Sequence, residues 1–373
     1  MPLFAFFVTV AFVNPFPDGA MAPRWALLSL VVPWLLWRLR SISCSWGVLF
    51  LLLFVAWGAV TLCWSPVIWD GLYLWWHFAL FAALVVISAA SRVDMRKVYV
   101  AMALGLVLNS ALVLGQIAGS IELNQTEGPG GLFFNRNFWF EASALVLVGL
   151  LAKDRFIQWI IAVPLVLPMF FVPPARAALM GLCAASCLRI WSYSRFAAVL
   201  VALVTVGVLV HLILLPGRIV AGTQRLDLWS AIASDVTFWG NGLGATRFAS
   251  PYYEYAHNDL LQTLYETGVP GLLLLGAFFV FCLWRGEIRE RCVAAAFVTI
   301  GCFGFPLYLP VTTFLAALAL GALCRDRAPV RFHVLGRQLR NYAWAVVQFC
   351  HRSSGALRPR PRIFSIEAVV SPT

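Results

Sequence analysis

Apolar runs recur along the whole chain, separated by short gaps rich in arginine, glycine or proline. They cover 2–16, 24–37, 46–64, 71–90, 98–118, 138–151, 156–172, 177–191, 196–215, 270–284, 292–308 and 310–324. A helix needs ~20 apolar residues to cross a bilayer unaided. The pattern therefore predicts an all-α polytopic integral membrane protein of about 12 transmembrane helices, several of them short. The first run, LFAFFVTVAFV, has no basic leader and no small-residue cleavage site, so it reads as a retained span. One polar interval interrupts the pattern: RLDLWSAIASDVTFWGNGLGATRFASPYYEYAHNDLLQTLYETGVPG, from Arg225 to Gly271.

Composition agrees with a lipid environment. Apolar residues make up 62% of the chain and charged residues 12%, about half the ~25% of soluble domains. The net charge of +11 would suit nucleic acid, but position argues against that partner. With both termini in the cytoplasm, the inner gaps hold Arg38 and Arg40; Arg92, Arg96 and Lys97; Lys153 and Arg155; Arg189 and Arg195; and Arg285, Arg289 and Arg291. A tail from 325 to 373 adds nine more arginines, so 21 of the 27 basic residues lie inside, as the positive-inside rule requires. Within that tail, Phe332, Leu335, Leu339, Tyr342 and Val346 suit a basic amphipathic helix on the inner leaflet, ahead of a disordered end; an idle solvated tail fits equally. The nine cysteines show no metal-ligand or disulfide spacing, and Cys183 and Cys187 read as packing residues.

Six arginines are left outside: Arg24, Arg136, Arg176, Arg218, Arg225 and Arg247. The orientation rule disfavours them there, so each calls for a reason. Arg225 and Trp229 share a helix face. That pair is either a snorkelling arginine stacked on an interfacial Trp or a fixed cation for an anionic head group. Gly240, Gly242 and Gly244 allow tight turns, in a spacing that is no dinucleotide fingerprint. Tyr252, Tyr253 and Tyr255 suit sugar stacking or the interfacial aromatic belt, to which Trp64 and Trp69 also belong. Asn258 can cap a short helix whose polar face carries Asp259, Gln262 and Glu266, and Gly268, Pro270 and Gly271 end it. His257, beside that cap, is a plausible general base. In an earlier outer gap, Asn135, Arg136 and Asn137 follow Gly-Pro-Gly-Gly, and Arg176 starts the run after Pro173-Pro174.

The ordered string Arg225-LDL-Trp229, Gly240-N-Gly242-L-Gly244, His257-Asn258, Glu266-T-Gly268 resembles the signature of the O-antigen ligase and polymerase superfamily. The segment GLFFNRN ending at Asn137, and PPARAAL around Arg176, resemble its upstream motifs. The resemblance covers roughly 130–285. It implies a GT-C-like glycosyltransferase domain over 1–324, with its outer-face segment at 216–269, in a bacterial inner membrane. It implies a site facing the periplasm, a glycan donor on undecaprenyl pyrophosphate, and metal-independent, inverting transfer without a cofactor. By motif match, Arg176 and Arg225 bind the donor pyrophosphate and His257 deprotonates or orients the attacking hydroxyl. Asn135, Asn137, Trp229, Asn258 and Glu266 support the acceptor side, and Gly240, Gly242, Gly244 and Gly268 shape the loop. The acceptor is a lipid A–core sugar in a ligase, or a second lipid-linked glycan in a polymerase. A transporter or flippase would instead need inverted repeats or ionisable residues deep in the spans.

Overall fold

The apolar runs fold as helices in a computed structural model, which describes residues 1–13, 21–39, 41–123, 128–151, 156–173, 175–214, 219–249, 255–284, 286–325 and 330–333. The first half contains α1 (Pro2–Val10), α2 (Ala22–Trp37), α3 (Trp46–Thr61), α4 (Ile68–Ala90), α5 (Met95–Ile117), α6 (Arg136–Leu151) and α7 (Phe156–Val166). The second contains α8 (Arg176–Trp191), α9 (Arg195–Leu214), α10 (Ile219–Ser234), α11 (Thr246–Ala249), α12 (Asp259–Trp284), α13 (Ile288–Gly301) and α14 (Pro310–Cys324). A two-stranded pairing of Ser41–Cys44 with Val330–His333 is the one non-helical element among the described residues.

Local chemistry sets several helix starts. Ser45 accepts a hydrogen bond from the Val48 amide at 3.3 Å and Asp94 one from the Lys97 amide at 3.3 Å, each satisfying a donor the helix leaves orphaned. Pro310 opens α14, where its missing N–H costs no helix bond.

Residues of α14 are buried at every position except Ala322, which suits a helix apolar on all sides. It packs on α4, where Ser88 Oγ donates to the Leu318 carbonyl at 2.6 Å. Around that pair, α8 packs on α13, α12 on α3, and α1 on α5.

The surface also exposes large apolar side chains. Leu30, Trp37, Trp69, Phe170, Phe196 and Trp284 are 73–80% exposed, far more apolar surface than a water-soluble monomer tolerates. Helices at Trp46–Trp64, Ile68–Ala90, Met95–Ile117 and Asp259–Trp284 are long and apolar enough to cross a membrane. Ala22–Trp37, Ile160–Phe170 and Pro310–Cys324 are apolar but shorter. The chain is a membrane-embedded helical protein.

Three segments differ from the hydropathy reading. The run 2–16 is helical only to Val10, and Ala11 is extended (φ −60°, ψ 121°). The run 292–308 ends its helix at Gly301; a turn over 302–305 and a single 3-10 turn, Pro306–Tyr308, follow. Gly301, Gly304 and Pro306 make continuation unfavourable. The polar interval is itself largely helical, since it contributes α10, α11 and the first half of α12. Phe332, expected to begin the tail helix, lies instead in the strand Val330–His333; the rest of that expected helix, Arg218, Tyr252 and Tyr253 lie outside the described residues.

Candidate functional site

The glycine cluster and the break in α12 form one unit. Gly268 takes φ 70° and ψ −171°, a region open only to glycine, and Pro270 has no N–H to return to the Glu266 carbonyl. The carbonyls freed by this break find partners in the glycine loop. Asn241 N donates to Tyr265 O at 2.8 Å and Gly242 N to Glu266 O at 3.0 Å. In return, Val269 N donates to Phe238 O at 2.9 Å. Gly242 sits so close to α4's approach that an added Cβ would lie 2.6 Å from Ser65 Cα. Trp64 Nε1 and Ser65 Oγ then bind the Gly240 and Leu243 carbonyls at 3.1 and 2.6 Å. These glycines shape backbone.

The turn from Gly301 to Phe305 gathers the chemistry. Arg225, exposed on α10, donates from Nη1 to the Phe303 carbonyl at 3.2 Å. Trp229, one helical turn on, donates to the Ala256 carbonyl at 2.8 Å, with its ring 6.5 Å from Phe303. Residue 257 is thereby held next to α10. His257 packs edge-on to Phe305 at 4.9 Å, beside Tyr255 stacked on the same ring at 5.2 Å.

His257 is one of two non-glycine residues with positive φ (52°) among the described residues. Asn258 follows it as a cap, accepting from Leu261 N at 3.0 Å. Asp259 Oδ2 accepts from Leu307 N at 3.1 Å and ties the start of α12 to the far end of the same turn. Burial, and behind it the Arg225 charge, holds the His257 pKa down to about 4 from 6.5. The imidazole is therefore neutral at pH 7 and able to accept a proton.

Two upstream segments reach this turn from the other side. Asn135 Oδ1 accepts from Asn137 N at 2.8 Å and so opens α6; Asn137 is half-buried. Farther along α6, the Phe138 ring lies 5.5 Å from Phe305. Arg176 is the first residue of α8, and the next residue, Ala177, would be 3.7 Å from a Cβ on Gly304. Arg225, Trp229, His257 and Asn258 are thus assembled directly, and the starts of α6 and α8 adjoin them. Glu266 lies apart, buried under the glycine loop, where its Oε1 accepts from the Thr246 hydroxyl at 2.7 Å and from Gln262 Nε2 at 3.3 Å.

Sequence reasoning missed Glu141. It is 5% exposed, and its Oε2 has no hydrogen-bond partner among the described residues. Its Oε1 would be 3.0 Å from a Cβ on Gly304. The available signal was a lone carboxylate in the apolar run 138–151. Phe303, Phe305 and Tyr308 were also missed, because they look like the end of a span.

Two of the outside arginines have structural employment. Arg24, 2% exposed, donates to Thr9 O at 2.9 Å and Leu132 O at 3.1 Å, with its guanidinium 4.2 Å over Phe133. Arg247 pairs with Asp70. Compared with known proteins, the chain matches no family model and no curated relative.

Proposed function

We propose that this chain is a multi-pass glycosyltransferase of the bacterial inner membrane, with about 12 spans, both termini cytoplasmic and its site facing the periplasm. In this reading it moves a glycan from undecaprenyl pyrophosphate onto a lipid A–core sugar hydroxyl. The observation that carries the proposal is the meeting of Arg225 and His257, 32 positions apart, on the Phe303–Phe305 turn.

The chemistry follows from that pair. The acceptor hydroxyl attacks the anomeric carbon, forming a C–O bond with inversion, and its proton passes to the neutral His257 imidazole. The bond from that carbon to the pyrophosphate oxygen breaks, and its electron pair leaves on the phosphate. Arg225, with Arg176 from the start of α8, stabilises the accumulating negative charge. A planar, permanently charged guanidinium suits phosphate oxygens, and fixed cations aimed at the leaving group stabilise its developing charge.

The test is transfer in proteoliposomes that hold the full-length protein, the carrier-linked glycan and lipid A–core. Wild type should extend lipid A–core, whereas a well-inserted His257→Ala variant should not; full activity in that variant would sink the mechanism. In cells, deletion should leave the core uncapped while polymer accumulates on its carrier. A core capped by single repeats would instead identify a polymerase, which shares the donor chemistry.

A further inference from the structure

Gln262 is fully buried near the start of α12. Helical side chains lean towards the N-terminus of their helix, so this one reaches back over the Asn258 cap. Its Oε1 accepts from the Ala256 amide at 3.2 Å. Its Nε2 donates at 3.3 Å to Oε1 of Glu266, one turn farther along the same helix face. The partners fix which way the amide points. A backbone N–H can only donate, so the carbonyl oxygen must face Ala256, which leaves the NH2 group for the carboxylate.

Ala256 is consequently held on both sides of its Cα. Its N–H is bound by Gln262, and its carbonyl accepts from Trp229 Nε1 at 2.8 Å. The residue is itself fully buried, where an unmade backbone bond is expensive. That carbonyl belongs to the peptide bond that enters His257, where φ is 52°. A left-handed backbone at a residue other than glycine persists only when its surroundings over-determine it. Gln262 and Trp229 supply that constraint from opposite ends of one residue, and the imidazole packs on Phe305.

The far end of the same network is anchored in the glycine loop. Glu266 Oε1 also accepts from the Thr246 hydroxyl at 2.7 Å and from its amide at 3.4 Å. Gly242 N donates to the Glu266 carbonyl at 3.0 Å. Hydrogen bonds therefore lead from the loop through Glu266 and Gln262 to the residue before His257. Glu266, which lies apart from the imidazole, bears on it through Gln262.

We propose that Gln262 is the positioning residue of His257: by holding the Ala256 amide it sets the left-handed backbone that presents the imidazole to the Phe303–Phe305 turn. That the imidazole then takes the acceptor's proton rests on the proposed function; the positioning itself rests on the geometry. A buried glutamine that merely satisfied its neighbours would lower stability when removed and leave the imidazole unchanged. A positioning glutamine would move it.

Gln262→Met keeps the length of the side chain and removes both polar contacts. Gln262→Glu keeps an acceptor for Ala256 and, when protonated, a donor towards Glu266. The first readout needs no substrate: NMR of isotope-labelled histidine in the full-length protein in detergent follows the titration of His257, and His257→Ala identifies its signal. Burial, and then the Arg225 charge, holds that pKa down to about 4 in wild type. In Gln262→Met the released imidazole should titrate at least about one unit nearer its ordinary value, and in Gln262→Glu it should stay close to wild type. The second readout is transfer in proteoliposomes. Gln262→Met should lower kcat about ten- to hundredfold, as for a reacting group misplaced by about 1 Å, with KM for both substrates unchanged. Gln262→Glu should retain most of kcat.

An unmoved His257 titration in Gln262→Met would overturn the positioning role, whatever transfer shows. A moved titration in a protein that performs no transfer would uphold the role and remove the transferase reading. Wild-type kcat in Gln262→Met, in a protein that does transfer, would overturn the proposal as well. Should Gln262→Met fail to insert, Trp229→Phe removes the bond at the other end of Ala256 and should raise the same pKa; no shift there would overturn the proposal.

Discussion

At the scale of single residues, His257 combines three features that rarely coincide: a left-handed backbone, half-burial against Phe305, and a pKa held near 4. A non-glycine residue in that backbone region carries strain of roughly 1–3 kcal/mol, which the Asn258 cap and the Trp229 bond to Ala256 offset. The depressed pKa has a definite sign. The unfolded imidazole takes up a proton as pH falls through 6.5, while the folded one does so only near 4. His257 therefore withdraws stability as pH drops through that window and is silent above it. As the proposed general base it must be neutral, so kcat/KM should hold from pH 7 to about 5 and fall with a midpoint near 4. An acid limb centred at 6.5 would assign the base elsewhere.

Arg225 gives the companion prediction. Arg225→Lys keeps the charge but loses the planar fork. It should weaken donor binding roughly ten- to hundredfold, the equivalent of one or two charge-assisted hydrogen bonds, as measured by KM for the carrier-linked glycan.

At the scale of elements, the broken α12 matters most. The Gly268–Pro270 break costs helix hydrogen bonds, and the loop from Phe238 to Gly242 restores them through the Tyr265 and Glu266 carbonyls. Trp57 Nε1 takes the Thr267 carbonyl at 2.7 Å and binds α3 to the same break. Gly268→Ala should therefore destabilise the protein by on the order of 1–3 kcal/mol from backbone strain alone. Contact of the new methyl with the Phe238 carbonyl adds to that. The readout is a lower Tm of the purified protein in detergent, with transfer activity falling in step. Glu266→Gln acts differently, since its Oε1 contacts with Thr246 survive as amide-carbonyl bonds; its Tm should change little.

At the scale of the whole molecule, the described residues expose large apolar side chains around the buried α14, while the candidate site gathers helix starts and loops at the Phe303–Phe305 turn. The charge distribution along the sequence predicts that this turn is periplasmic. Single cysteines placed at Asp235 and at Glu287 in a cysteine-free background should report the two faces. An impermeant maleimide added to intact spheroplasts should label the first and not the second; the reverse would invert the topology and move the site to the cytoplasm.

The sequence by itself determined the solvent, the helical class and the position of most helices. Each of these follows from local properties: a run such as 71–90 is apolar regardless of its neighbours, and Ser45 or Asp94 caps a helix within three residues. It also isolated the polar interval and made Arg225 and His257 worth attention. It did not reveal that Phe303 and Phe305 unite them, that Glu141 lies beside them, or that Arg24 and Arg247 are occupied in structural contacts. Those facts depend on pairings between residues up to 177 positions apart, such as Asp70 with Arg247. A cavity lined by Trp25, His77, Tyr255 and Tyr308 is the clearest case. Four separate segments supply its walls, and only helix packing brings them together.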